Sequence, residues 1–180
     1  MVRKYSKKKN YKIGILGGTF DPPHKGHLYI SKFAIQKIKL DKLVWVITKK
    51  NPLKKKPCIN IKNRIKLSKK IVFKKKKIFV KYFVNNKYST STFSLLKYIK
   101  KRDPKQKLFF VLGADNLPKF HKWNNWYKIP KIAKMVVFPR RGYSSQSFNS
   151  IALKKISKSD WIFIKSKKMN ISSSLIRKFW

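Results

Sequence analysis

With 180 residues, 42% of them hydrophobic and 14% aromatic, the chain is long enough to fold around one sizeable core and too apolar to be a disordered polycation. No apolar run approaches the roughly 20 residues of a membrane span. The single cysteine, Cys58, excludes an internal disulfide and argues against a cysteine metal site.

Charge is the unusual feature. Lys and Arg number 48 against five acidic residues, all Asp, for a formal +43. Two readings compete: a nucleic-acid-binding surface, or drift in an AT-rich genome, whose codons favour Lys, Ile, Asn, Phe and Tyr. The lysines run along the whole chain and form no single stripe, which favours drift. Specific nucleic-acid binding is therefore not expected, although non-specific binding of polyanions is compatible with this charge. Either way, the positive field draws in anionic substrates such as nucleoside triphosphates.

In chain order, residues 1–11 form a basic leader, expected to be frayed, and residues 12–180 form one domain. The apolar stretch Ile13–Leu16 is too short for an export signal, so the expected setting is the cytoplasm. Lys12–Leu16 reads as a buried strand ending at Gly17-Gly18. Lys25–Ile38 reads as a helix, with Leu28, Ser31, Ile35 and Ile38 at helical spacing. Leu43–Thr48 is an apolar strand of the kind buried on both faces. Lys49–Pro57 is a loop, and Asn60–Phe73 a helix with Ile61, Ile65, Ser68 and Val72 on one side. Ile78–Val84 is strand-like, and the helix Ser91–Lys101 must stop before Pro104. Leu108–Leu112 is a strand closed by Gly113. Short helical turns follow over Ala114–Ile129, then a strand at Lys134–Phe138 and a Ser-rich loop at Gly142–Asn149. The last strand is Trp161–Ile164, and Ser172–Phe179 is a closing helix. This alternation predicts an α/β fold: a Rossmann-like open parallel sheet with helices on both faces. Ligands in such sheets bind at the carboxyl ends of the strands, where strand order reverses, and Gly17, Gly18 and Gly113 fall at that edge.

The densest segment is Gly17-Gly18-Thr19-Phe20-Asp21-Pro22-Pro23-His24-Lys25-Gly26-His27, between the first strand and the first helix. Its glycines let backbone approach a phosphate, and the helix start offers free N–H groups and a positive dipole end. His24 and His27, three apart, point to one side if the helix has begun. A zinc site lacks a third ligand. Neither the Gly-x-Gly-x-x-Gly nor the Gly-x-x-x-x-Gly-Lys-Ser/Thr pattern occurs, which disfavours a dehydrogenase or a P-loop ATPase.

This segment resembles the signature of the HxGH nucleotidyltransferase superfamily. Ile171-Ser172-Ser173-Ser174-Leu175-Ile176-Arg177 resembles its second motif, of the Ser-Ser-Ser/Thr-x-x-Arg type. Within the superfamily the chain is most similar to the bacterial nicotinate-mononucleotide adenylyltransferases, over about residues 12–178. His24 stands where phosphopantetheine adenylyltransferases usually have threonine. Asn51-Pro52-Leu53-Lys54 resembles the loop after strand two. Leu112-Gly113-Ala114-Asp115-Asn116-Leu117, followed by Phe120 and Trp123, resembles a third stretch. Ser91-Thr92 and Arg140-Arg141-Gly142 depart from the family's Tyr-Thr and Arg-Pro-Gly.

The resemblance implies transfer of AMP from ATP to nicotinate mononucleotide. The nearest alternatives are nicotinamide mononucleotide or phosphopantetheine as acceptor, and the alternative of another class is a basic nucleic-acid-binding module on a degenerate enzyme fold. By similarity, His24 and His27 are catalytic donors to the triphosphate. Gly17, Gly18, Thr19, Phe20, Lys54, Gly113, Asp115, Ser172, Ser173 and Arg177 bind ATP, and Thr92, Trp123 and Arg140 face the acceptor. Mg²⁺ is implied on the triphosphate itself, with no protein metal site. Pattern alone leaves Asp115 as a helix cap and Trp123 as a core residue.

Overall fold

The computed structural model describes residues 11–51, 53, 55–83, 91–140, 142–143, 147–166 and 171–179. Six strands form one all-parallel sheet: β1 (Lys12–Gly18), β2 (Lys42–Ile47), β3 (Ile78–Tyr82), β4 (Lys107–Gly113), β5 (Ala133–Phe138) and β6 (Trp161–Phe163). Their order is β3-β2-β1-β4-β5-β6, as expected of a Rossmann-like α/β fold. The helices are α1 (Lys25–Ile38), α2 (Ile61–Val72), α3 (Thr92–Arg102), α4 (Ile129–Ile132), α5 (Ile151–Lys155) and α6 (Ser173–Ile176). A 3-10 stretch, Ala114–Lys122, follows β4 directly.

Strand residues alternate between two cores because successive side chains leave a strand on opposite faces. On one face Ile13, Ile15, Leu108, Phe110, Met135 and Val137 pack with Leu95 and Leu96 of α3 and with Leu153 of α5. On the other, Leu16, Trp45, Phe109, Val111, Val136 and Phe138 pack with Ala34 of α1 and Val72 of α2. Both faces are thus covered, which is what the near-continuous apolar strands require. Among the described residues no helix is long and apolar enough to cross a membrane.

The structure changes three expectations. β1 does not stop at Leu16: Gly17 and Gly18 stay in register with Val46 and Ile47 of β2, so the glycines are the strand's end rather than the turn after it. The expected closing helix Ser172–Phe179 is one α-turn, Ser173–Ile176, continued as a 3-10 turn, Arg177–Phe179. α5 lies just beyond the expected Ser-rich loop and was not anticipated; Ser150 caps it, accepting from the Leu153 N–H.

Candidate active site

β1 and β4 are neighbours, yet the chain leaves them toward opposite edges of the sheet, which opens a crevice at their carboxyl ends. The β1–α1 loop borders this crevice. Phe20 turns it with a left-handed backbone, φ 50°, a conformation an aromatic residue holds only when its surroundings fix it. Here they do: the ring is 2% exposed, stacks on Trp45 at 5.0 Å and meets His27 at 4.7 Å. Phe20 can thus offer a ligand its backbone, its side chain being committed to the core.

His24 is the N-cap of α1. Its backbone N–H donates to Nδ1 of His27 at 3.2 Å. An Nδ1 that accepts carries no proton, so in the neutral ring the proton of His27 sits on Nε2, a donor. The two imidazoles lie face to face, centroids 3.8 Å apart and 34° from parallel. Ser31 braces the arrangement: its hydroxyl donates to the His27 carbonyl and accepts from Trp45 Nε1, both at 2.7 Å. Both histidines line a cleft with Gly113, Pro139, Arg140 and Ser166. Pro139, Arg140 and Ser166 also line an adjoining cavity of about 240 Å³, which Ala114, Phe148, Phe163 and Lys165 complete.

Burial, and then the Arg140 guanidinium, pull the His24 pKa from 6.5 down to about 4. The ring is therefore neutral at pH 7 and can donate one hydrogen bond without carrying charge. The unfolded chain takes up a proton near pH 6.5 that the folded ring refuses. Stability linked to His24 is thus full above pH 6.5 and is lost as pH falls toward 4, by about 3 kcal/mol in all. Urea unfolding at pH 7 and pH 4.5 checks this: His24→Gln should lose less stability over that window than the parent, and an equal loss would contradict it.

The second motif is fastened onto the first. Ser173 Oγ donates to the Pro22 carbonyl at 2.8 Å. Arg177 pairs with the Asp21 carboxylate at 3.4 Å and donates to the Asp21 carbonyl. Ser172 Oγ caps α6 by accepting the Leu175 N–H at 3.0 Å. A Cβ on Gly26 would fall 2.9 Å from Ile171 and 2.9 Å from His24 Nδ1, so only glycine lets the two motifs close up here. The three residues expected to grip a triphosphate thus meet the loop or cap their own helix.

The other expected residues distribute as follows. Gly17, Gly18 and Thr19 form the strand end and the start of the loop. Asp115 is not a cap. Gly113 holds that position, and the Asp115 carboxylate curls back over it, leaving no space for a Cβ. Asn116 Nδ2 donates to the Gly113 carbonyl at 3.2 Å and lies 3.4 Å from Asp115 Oδ1. Arg140 lies in the histidine cleft. Thr92 is the first residue of α3, behind its N-cap Ser91. Trp123 is half-buried against Phe120 at 5.1 Å and Phe110 at 6.1 Å, so the core packing expected from pattern alone is present. Thr92 and Trp123 do not line the histidine cleft. Lys54 lies outside the described residues.

Sequence reasoning did not single out two buried charges, Asp21 (4% exposed) and Arg64 (2%). Asp21 accepts the N–H groups of Cys58 and Ile59 at 2.9 and 2.8 Å. Arg64 had a sequence signal: it stands three residues after Ile61 and four before Ser68, on the inward side of α2.

Comparison with known proteins gives the chain's relatives. The cytidylyltransferase-like family matches residues 15–179. A probable nicotinate-nucleotide adenylyltransferase of Pelagibacter ubique is 47% identical, over 94% of both chains. One from Clostridium tetani is 36% identical, over 92% of this chain and 85% of its own. The structure of Plasmodium falciparum nicotinic acid mononucleotide adenylyltransferase complexed with NaAD superposes with a TM-score of 0.79 at 26% identity, covering 94% of this chain and 83% of that one. The chain belongs to the cytidylyltransferase-like family and, within it, to the nicotinate-nucleotide adenylyltransferases.

Proposed function

We propose that the protein transfers the adenylyl group of ATP to nicotinate mononucleotide, giving nicotinic acid adenine dinucleotide and pyrophosphate. The observation that carries this reading is the pair of close, tilted imidazoles at the start of α1, on the sheet's switch point, in a chain 47% identical to a relative of that name.

A phosphate oxygen of the acceptor attacks the α-phosphorus of ATP. The bond from that phosphorus to the bridging oxygen breaks, and pyrophosphate takes the electron pair. The protein contributes position and charge stabilisation rather than covalent chemistry. His27 Nε2–H is the donor aimed by its fixed tautomer, His24 adds a neutral donor, and Arg140 supplies the cleft's permanent positive charge. The N-terminus of α1 and the glycine end of β1 offer backbone N–H groups to the phosphates. By similarity, Gly113 and Asp115 take the ATP ribose, Ser172, Ser173, Arg177 and Lys54 its phosphates, and Thr92 and Trp123 the pyridine end of the acceptor.

Mg²⁺ belongs to this chemistry as a companion of the triphosphate. Among the described residues no group of three or more His, Cys, Asp or Glu could hold a metal ion, and two imidazoles beside a guanidinium suit phosphate oxygens better than a cation. Bound to the phosphates, Mg²⁺ supplies charge neutralisation. A cytoplasmic setting, where ATP is supplied, suits the exposed free thiol of Cys58.

The test is pyrophosphate release from ATP and Mg²⁺ with nicotinate mononucleotide, nicotinamide mononucleotide or phosphopantetheine. Release should be fastest with nicotinate mononucleotide. A clear preference for either other acceptor, or no release with any, would overturn the reading.

A further inference from the structure

Arg64 is one of six arginines among 48 basic residues, and its side chain is buried in α2. Its Nη1 donates to the Thr19 carbonyl at 2.6 Å and the Thr48 carbonyl at 2.8 Å. Nη2 donates to the Lys49 carbonyl at 3.1 Å, and Nε to that of Ile59 at 3.0 Å. One guanidinium therefore touches the β1–α1 loop, the two residues that follow β2 and Ile59, the residue before the α2 N-cap Asn60. Burial pushes its pKa down, and the nearby Asp21 carboxylate opposes that; an arginine stays charged even so.

Asp21 works on the same junction from the other side, through the N–H groups of Cys58 and Ile59. The Thr48 N–H adds a bond to the Gly18 carbonyl at 2.8 Å. Thr48-Lys49 and Cys58-Ile59 are thus both pinned to the loop that carries the histidines. A peptide's C=O and N–H point opposite ways. Holding the Thr19 carbonyl toward α2 therefore turns the Phe20 N–H to the other side of the loop.

We infer that Arg64 is a positioning residue: it locks the Gly17–Asp21 loop, Thr48-Lys49 and Cys58-Ile59 into one unit, and so shapes the site that receives the triphosphate. This rests on the reading of the histidine cleft as the ATP site. Lysine cannot replace it, because three donors on one nitrogen do not span carbonyls on four residues as a planar fork with five donors does.

The test is calorimetric ATP binding, with steady-state turnover beside it, for the parent, Arg64→Lys, and Lys66→Arg on the exposed side of the same helix. Arg64→Lys keeps the net charge, yet should weaken ATP binding about tenfold and lower kcat at saturating ATP about tenfold; Lys66→Arg should match the parent within twofold. Arg64→Lys with ATP affinity and kcat within twofold of the parent would overturn the inference, whatever its melting temperature. In the parent, hydrogen exchange gives a second reading that needs no variant. ATP should slow exchange at the Cys58 and Ile59 amides, and unchanged exchange there would also overturn it. A parent that binds no ATP would be a different failure, removing the reading beneath it.

Discussion

Replacing His27 with alanine is expected to lower turnover by a factor of about 10²–10³, the usual cost of losing one preorganised donor to a transition state that gains negative charge. The donor is preorganised because the His24 backbone N–H occupies Nδ1 and Phe20 and Trp45 hold the ring's plane. Stability should fall much less, since the ring is only half-buried and its loss costs about 1–2 kcal/mol in packing. The melting temperature should then drop by a few degrees. His24→Ala should show the same imbalance: its ring is buried at 5% exposure, but its Nδ1 has no hydrogen-bond partner among the described residues. Parallel losses of activity and melting temperature in both variants would make the histidines structural.

Gly26→Ala is expected to have the second-largest effect, with a sign opposite to helix propensity. In an exposed helix interior, exchanging glycine for alanine gains about 1 kcal/mol. Here the added methyl would lie 2.9 Å from Ile171 and 2.9–3.0 Å from the His24 ring. Ile171 presents a β-branched methyl close to its backbone and His24 a buried ring, so neither can swing aside cheaply. Overpacking of this kind costs about 1–3 kcal/mol, which offsets the propensity gain. The larger consequence is for activity: the methyl displaces His24 and pries the second motif from the first. Turnover should fall at least tenfold, with circular dichroism unchanged. A stabilised, fully active Gly26→Ala would contradict this account of the junction.

Local pattern carried much of the fold. α1 runs over Lys25–Ile38 as its spacing predicts: His24 stands at its N-cap, and Ser31 and Ala34 face the core. The apolar strands and the glycine edge were equally plain. α5 was not, since five residues are too few to show a period. The facing histidines were legible from their separation of three residues. The clasp of Ser173 and Arg177 on Pro22 and Asp21 was not, because it joins residues more than 150 apart through tertiary packing. Arg64 was hidden by charge: among so many basic residues an inward arginine is visible only by its position on the apolar side of α2. That arginine stands there in a chain so rich in lysine accords with a site that needs a fork rather than a point charge.

The paired imidazoles are expected to hold the α-phosphate of ATP at the end of β1. A crystal structure with Mg²⁺ and a non-hydrolysable ATP analogue would show this. An α-phosphate oxygen should lie within hydrogen-bond distance of His27 Nε2, between the carboxyl ends of β1 and β4 and beside Arg140. An analogue seated elsewhere, with His24 and His27 touching no phosphate, would sink the reading of the histidine pair.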